Sequence, residues 1–588
     1  MLYKLLLSSK HTIMSSFYED ASLVMIPSGY KTSKVYSAKP TDGAGDLTFS
    51  RSNDTATRVA SNGLIEKVRT NLVPYSEQFD NAGWTKTNLT ITPNSTAAPD
   101  GTLTAQTITD DATNGIHNIL VAGLWNTTQR TASVFAKAGT SSKVYIENAV
   151  LGTGVFADLS TNTLLETGTF TGTITDEGSG WFRITATHTA ASPSALTIGL
   201  FDGASTSVYA GTGSTAFIWG AQMEDGDIAT DYIATTSAAV SVGPVANVPR
   251  LDYLGSSCPR LLLERQRTNL VTFSEQFDNA SYSKTEMTVT ANAAISPDGT
   301  QNADKLIPST NASNHYLTKS MTFSGAGALS VYAKADGYNY LILLNSSGNV
   351  SFNLSNGTAT TDGSIVSVGN GWYRCTATKT FANGTMYLSC GSSSAPLFFN
   401  GAGDGTSGVL LYGFQLEAGA FATSYIPTLG AAVTRGADAA SKTGISSLIG
   451  QTEGTLFADF VYNGETGAEI IDVSDGTESN RVMFYVSSGT NAQVYVSTGG
   501  STYGFISTSF LFTRGTEYKI AIGYKANDLV LYINGAQIGT DTSLVIPATS
   551  KLTISNGGAG NYPMASRVAQ ALLFKTRLSN TDLAALTA

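Results

Sequence analysis

Cleaving a glycosidic bond takes two carboxyl groups flanking it, one to give a proton and one to act as base or nucleophile. The nearest approach to such a pair is the stretch Glu469-Ile470-Ile471-Asp472-Val473-Ser474-Asp475. Successive side chains on a strand point to opposite faces, so Glu469 and Asp472, three positions apart, are expected on opposite sides. No hydrolytic pair, and no catalytic residue, is expected from this spacing. The histidines His11, His117, His188 and His315 occur singly, without the neighbours that a metal site or an activated nucleophile requires. The cysteines Cys258, Cys375 and Cys390 are too few and too scattered for a disulfide framework or a thiolate metal site. Cys375 and Cys390 flank an Asn383-Gly384 hairpin turn that makes them diagonal neighbours on one face, and no bridge is expected between them.

Sugar binding asks for less: an aromatic face against the apolar side of a pyranose, and amides or carboxylates for its hydroxyls. The tryptophans are Trp84, Trp125, Trp181, Trp219 and Trp372. Trp84, Trp181 and Trp219 have aromatic counterparts elsewhere in the chain, which points to packing roles. Trp125 has none and is the expected stacking residue of its region. Tyr338 and Tyr340, in a Gly-Tyr-Asn-Tyr loop, and Tyr503 with Phe505 are the other candidates.

What must position these residues is largely a duplication. Arg69 to Thr87 reads RTNLVPYSEQFDNAGWTKT, and Arg267 to Thr285, 198 residues later, reads RTNLVTFSEQFDNASYSKT. The match continues through Ser133-Val134-Phe135-Ala136-Lys137 against Ser330-Val331-Tyr332-Ala333-Lys334, and Gly180-Trp181-Phe182-Arg183 against Gly371-Trp372-Tyr373-Arg374. It ends with Trp219-Gly220-Ala221-Gln222-Met223-Glu224 against Tyr412-Gly413-Phe414-Gln415-Leu416-Glu417. Copies this long each close a core of their own, unlike solenoid repeats of about 20 to 50 residues. Within Trp181 to Thr187, Phe182, Ile184 and Ala186 share the core face while Trp181 and Arg183 point away; Tyr373, Cys375 and Ala377 repeat this in the second copy.

Charged residues make up 13% of the chain and the net charge is −10, with no basic run, so nucleic acid is not an expected partner. Met1 to Ile13 contains only three consecutive leucines, too short a run for an export signal, and Met14 reads as an alternative start. No segment approaches the ~18 apolar residues of a membrane span, so no membrane insertion is expected.

The domains then fall in order. Residues 1–67 are polar and turn-rich, with no core-forming pattern. They read as an extended arm ordering on another protein, or as a flexible tail. Residues 68–245 form the first copy and 246–430 a proline-bearing linker with the second. A third β domain covers 448–588, with strands at Thr455 to Tyr462, Arg481 to Val486, Gln493 to Ser497, Asp528 to Ile533 and Val568 to Phe574. A short helix follows Ser579, whose spacing to Asp582 is that of a capping box. The fold class is all-β, tandem jelly-roll sandwiches behind an extended arm.

The arm motifs Asp46-Leu47-Thr48-Phe49-Ser50-Arg51, Thr57-Arg58-Val59 and Gly63-Leu64-Ile65-Glu66 resemble one part of a module common in tailed-bacteriophage virion proteins. Pro249-Arg250-Leu251-Asp252-Tyr253 and Cys258-Pro259-Arg260-Leu261-Leu262-Leu263-Glu264 in the linker resemble its other part. Here the first copy is interposed between the two parts. Both copies resemble carbohydrate-binding jelly rolls, through Asn71-Leu72, Phe79-Asp80 and Trp84 in the first and Asn269-Leu270, Phe277-Asp278 and Tyr282 in the second. The third domain resembles a concanavalin A-like, laminin G-type sandwich through Leu531-Tyr532-Ile533-Asn534-Gly535. These resemblances imply a virion fibre or decoration protein on the phage particle surface. It would dock on other virion proteins through its arm, bind host-surface glycans, and form a homotrimer as such fibres do. No cofactor is expected, although the related jelly rolls often hold a structural calcium, for which Asp80 and Asp278, with Gln222 and Gln415, would be the ligands. A structural virion component without ligand and a secreted polysaccharide-processing enzyme are the alternatives.

Overall fold

A computed structural model describes residues 16–148, 153–203, 207–393, 398–465, 467–487, 489–555 and 566–588; His11 and Met14 lie outside these. The described chain is almost entirely β-strand, with helix only at residues 16–20 and Asn580–Thr587. It divides into two compact units: Val68–Gly243, and Met1–Lys67 together with Pro244–Ala588.

The first unit is a jelly-roll sandwich. One sheet has six strands, with Arg130–Ala138 between Trp181–His188 and Thr215–Asp225; the other is built around Lys143–Glu147, Ser194–Leu200 and Asn114–Trp125. The alternating positions Ile108, Ile119, Val134, Ile146, Ile184 and Ile198 fill the space between the sheets. The chain enters and leaves at one place, because Arg69–Asn71 pairs with Val240–Val242. The asparagine of the repeated Arg-Thr-Asn-Leu explains its own presence there. Asn71 Nδ2 donates to the Ala221 and Ile233 carbonyls at 3.1 and 2.8 Å, while Oδ1 accepts from the Val73 and Met223 amides at 3.0 and 3.1 Å. A buried amide that meets four backbone groups in this way ties the neck to the last strand without leaving a polar atom unpaired. Asn269 makes the same four bonds, to Phe414, Ile426, Val271 and Leu416, where Arg267–Asn269 pairs with Val433–Arg435.

Trp181 does point away from the core of its sandwich, as alternation requires, but it is buried on that other face, where its Nε1 donates to the Ala97 carbonyl at 3.2 Å. Trp372 repeats the bond to Ile295.

The second unit holds the second jelly roll and the C-terminal sandwich, and here the expected arm is corrected. Leu23–Met25 pairs with Ser566–Phe574, and Leu47–Ser50 pairs with Ala439–Thr443. Leu23, Met25, Val35, Leu47 and Phe49 are all buried in the core of that sandwich. The linker joins the same sheet: Arg260–Leu263 lies between Arg250–Asp252 and Ser566–Phe574. The C-terminal sandwich therefore begins in the first 67 residues, not near Leu448, and each jelly roll is inserted between successive strands of it. The arm lacks a legible pattern because its strands are two to four residues long, too short for alternation to show, and the two that tie it to the sandwich, Leu23–Met25 and Leu47–Ser50, have partners hundreds of residues away.

A wholly buried ion network closes this arrangement. Arg51 from the arm reaches Asp438 at 3.1 Å, and Arg250 from the linker bonds both Asp438 and, at 2.8 Å, Glu264. Arg435, just after the second jelly roll, reaches Glu264 at 3.1 Å. Burial alone would raise the Glu264 pKa, but Arg435 and Arg250 hold its carboxyl well below the usual carboxylate range. The arm and linker motifs separated in sequence by the first jelly roll thus meet in space through Asp438.

At the C-terminus Ser579 caps the helix Asn580–Thr587, its hydroxyl accepting from the Asp582 amide at 3.1 Å.

Candidate functional site

On the nine-stranded sheet of the C-terminal sandwich, Val482, Phe484, Val494, Val496 and Ile506 alternate into the core. The residues between them form the opposite face. Tyr495 stands opposite Met483 on one side and Phe505 on the other, and Tyr485 opposite Gln493, which in turn faces Ser507. Tyr495 lies 4.8 Å from Phe505 and 5.9 Å from Tyr485, ring centre to ring centre. On the edge strand Ser501–Ser509, Phe505 is 41% exposed, and Tyr503, the extra residue where Thr502 and Gly504 stand opposite the consecutive Ser497 and Val496, is 42% exposed. Gln493 is positioned among them: its Nε2 donates to Ser507 Oγ at 3.0 Å, and its Oε1 accepts from the Tyr495 hydroxyl at 3.2 Å. The result is an aromatic platform with an amide and hydroxyls at its edge. Tyr503 and Phe505 were expected from sequence; Tyr485, Tyr495 and Gln493 were legible only as polar-face residues of their strands.

The same face overturns the expectation for Glu469 and Asp472. Glu469 pairs with Tyr485 and Asp472 with Met483, residues two apart that share a face, because a bulge lies between Glu469 and Ile471. An extra residue in the strand shifts alternation by one, so two carboxylates three apart come to the same side. Both are 0% exposed. Burial pushes the Asp472 pKa up to about 7, against the opposing pull of Ser474 and Arg481.

In the second jelly roll, Leu317, Leu343 and Leu388 face the core, and the other face carries aromatics the sequence reading missed. Tyr316 and Tyr387 are 5.4 Å apart, and Phe398 lies 4.7 Å from the first and 5.4 Å from the second. Tyr340 shares their face through Leu344, which stands opposite Tyr387, and its hydroxyl accepts from Asn353 Nδ2 at 2.9 Å. Tyr338 is half-buried against Phe399, at 5.5 Å. Alternation within Ser313–Met321 and Gly384–Gly391 was the available signal for Tyr316 and Tyr387.

Trp125 is not a sugar-stacking residue. It is 0% exposed, set edge-on to Phe170 at 5.3 Å and His188 at 5.6 Å, with Nε1 donating to the Glu147 carbonyl at 3.2 Å. Its lack of a counterpart reflects a packing difference between the copies. The open-face positions of the first jelly roll, Asn118, Tyr145, Glu147 and Thr197, are all buried.

Of the residues considered for calcium, Gln222, Gln415 and Asp80 are given to other partners, and Asp278 is exposed. Gln222 Nε2 donates to Glu224 and its Oε1 accepts from the Ile233 amide, both at 2.7 Å; Gln415 repeats this with Glu417 and Ile426. Asp80 Oδ1 accepts from Gln106 Nε2 at 3.0 Å. Among the described residues no group of three or more His, Cys, Asp or Glu could hold a metal ion. Cys375 and Cys390 are buried and unbridged, and Cys258 is exposed. Among the described residues no helix is long and apolar enough to cross a membrane.

Residues 436–584, within the C-terminal sandwich, match the model of the Concanavalin A-like lectin/glucanases superfamily, to which this part of the chain is similar. Solved structures similar to parts of the chain include the CBM40 module of the Ruminococcus gnavus IT-sialidase bound to alpha2,3 sialyllactose. It is 14% identical, with 25% of this chain and 91% of that one covered and a TM-score of 0.23. Domain 4 of the Geobacillus stearothermophilus arabinanase AbnA, in complex with arabinotriose, is 9% identical, covering 26% of this chain and 73% of that one, with a TM-score of 0.22. A Limulus polyphemus SAP-like pentraxin is 15% identical, covering 22% and 68%, with a TM-score of 0.20. No curated protein matches the sequence.

Proposed function

We propose that this protein binds glycans without cleaving them. The observation that carries the reading is the pair of exposed rings Tyr503 and Phe505 on one edge strand, with Tyr495 packed against Phe505, Tyr485 against Tyr495, and Gln493 and Ser507 beside them. Rings in this setting offer an apolar surface to a sugar face, and the amide and hydroxyls offer partners for its hydroxyl groups. The aromatic trio Tyr316, Tyr387 and Phe398, with Tyr340 farther along the same face opposite Gly391, supplies a second surface of the same chemistry. A glycan array probed with the full chain should show binding that weakens about tenfold, about 1.4 kcal/mol, in Tyr503→Ala/Phe505→Ala at unchanged melting temperature. Unchanged binding in that variant would remove the reading.

The resemblance of the arm and linker motifs to a phage virion module supports placing the protein on a phage particle, attached to other virion proteins and directed at host-surface glycans. A homotrimer fits that setting, since joined weak sites gain avidity over one site. Light scattering of the purified chain tests it, and a monomer at micromolar concentration would count against it.

A second reading, hydrolysis, is favoured by one observation, the bulge that brings Glu469 and Asp472 to one face. Their complete burial supports binding over cleavage, because a scissile bond must reach both carboxyl groups. Release of reducing ends from a bound glycan, abolished in Glu469→Gln, would decide for hydrolysis.

A further inference from the structure

The two jelly rolls differ in what occupies one acidic surface. In the second, Lys67 places its Nζ 2.8 Å from Glu275 Oε2 and 3.0 Å from Asp298 Oδ2, with the Tyr412 ring centre 5.9 Å away. The strand carrying that lysine is docked as well. The Ile65 amide donates to the Pro297 carbonyl at 2.9 Å, and Ile65 packs among Tyr332, Trp372, Leu410, Tyr412 and Tyr425. Leu64 lies so close to Gly299 that a Cβ there would meet it at 2.7 Å.

Every receiving residue has a counterpart in the first jelly roll. By the sequence matches, Glu275 and Asp298 correspond to Glu77 and Asp100, Tyr412 and Tyr425 to Trp219 and Tyr232, and Tyr332, Trp372 and Leu410 to Phe135, Trp181 and Phe217. The local geometry is repeated too. Asp298 Oδ1 accepts from the Thr300 amide and hydroxyl at 2.8 and 2.5 Å, Asp100 Oδ1 from those of Thr102 at 2.9 and 2.7 Å. Glu275 accepts from the Tyr425 hydroxyl at 3.0 Å, and Glu77 from that of Tyr232 at 3.1 Å.

The occupant is what is missing. Among the described residues Glu77 and Asp100 form no ion pair, and burial raises the Glu77 pKa with Asp100 adding to the effect. Gly101, the counterpart of Gly299, has nothing within 4 Å of the position its Cβ would take. Phe217 and Tyr232 are half-buried where Leu410 and Tyr425 are buried.

We propose that the Glu77/Asp100 surface of the first jelly roll receives an extended segment of another protein chain, carrying an aliphatic residue two positions before a lysine. The lysine would sit between the two carboxylates, beside the buried Trp219 that stands where the second copy has Tyr412. The aliphatic residue would cover Phe217 and Tyr232 as Ile65 covers Leu410 and Tyr425. The proposal is independent of the glycan reading, because this surface lies on the six-stranded sheet of the first jelly roll and the proposed glycan surfaces lie on the second jelly roll and the C-terminal sandwich.

The test is calorimetric titration of the full chain with a capped peptide of residues 61–68, Ser-Asn-Gly-Leu-Ile-Glu-Lys-Val. Saturable one-to-one binding is expected, at least about tenfold weaker for the peptide carrying Lys67→Met and at least about tenfold weaker for protein carrying Glu77→Gln/Asp100→Asn. The two protein substitutions preserve shape and remove charge, and an unchanged melting temperature will show that the variant is folded. Absence of saturable binding, or equal binding by the charge-neutral variant, would overturn the proposal.

Discussion

Trp125 and Tyr503 show how the same kind of side chain is put to opposite uses by its surroundings. Trp125 is enclosed by Phe170 and His188, so Trp125→Ala should open a cavity and cost about 3–5 kcal/mol, read as a lowered denaturation midpoint. Tyr503→Ala should leave that midpoint in place. Asp472 makes a sharper case. Its folded pKa, near 7, lies above the unfolded value of about 3.9, so the fold penalises its ionised form, and that penalty grows as pH rises between the two. Asp472→Asn should therefore raise the melting temperature at pH 8 and leave it unchanged at pH 4; equal shifts at both would refute the assignment. Glu264 has the opposite sign. With its folded pKa lowered by Arg435 and Arg250, its stabilisation is present above the unfolded value of about 4.3 and is lost as pH falls below it. Unfolding measured from pH 6 downward should steepen below about pH 4 in the parent and less so in Glu264→Gln, whose stability at pH 6 will already be lower.

At the scale of elements, the short pairings carry more than their length suggests. Arg69–Asn71 with Val240–Val242, and Arg267–Asn269 with Val433–Arg435, are each three residues long, yet each fastens a whole sandwich at its neck through a buried asparagine. The arm strands act in the same way on the C-terminal sandwich. Leu23 and Phe49 are core residues, so deleting residues 1–67 should expose that core and leave the 436–588 region open to limited proteolysis. Retention of a protease-resistant C-terminal fragment would show that the arm strands are dispensable.

At the scale of the molecule, the first jelly roll is an insertion. Its ends are paired to each other and its core is its own, whereas the arm and linker on either side of it meet in one sandwich through Arg51, Arg250, Glu264 and Asp438. Expressed alone, residues 68–243 should melt as a single cooperative transition. The chain lacking them, with Lys67 joined to Pro244 by a short Gly-Ser linker, should keep the melting behaviour of the remaining unit. Loss of folding in the shortened chain would contradict the insertion.

Sequence alone determined what is local or repeated. The duplication, the all-β class, the alternation that sends Ile184 and Cys375 inward, the strand at Arg481–Val486 and the Ser579 cap all follow from residue order, because period-2 patterning and capping act over a few residues. So did the exposed rings Tyr503 and Phe505, which stand on an edge strand where an aromatic has no partner strand to cover it. The tertiary structure decided whatever depends on strands distant in the chain. Arm strands of two to four residues carry too little pattern to name partners far along the chain, and a single bulge after Glu469 reversed the face assigned to Asp472. The burial of Trp125 was decided in the same way, by Phe170 from a loop and His188 from the strand Trp181–His188 brought over it, since enclosure is a property of the neighbours that folding supplies and not of the residue itself.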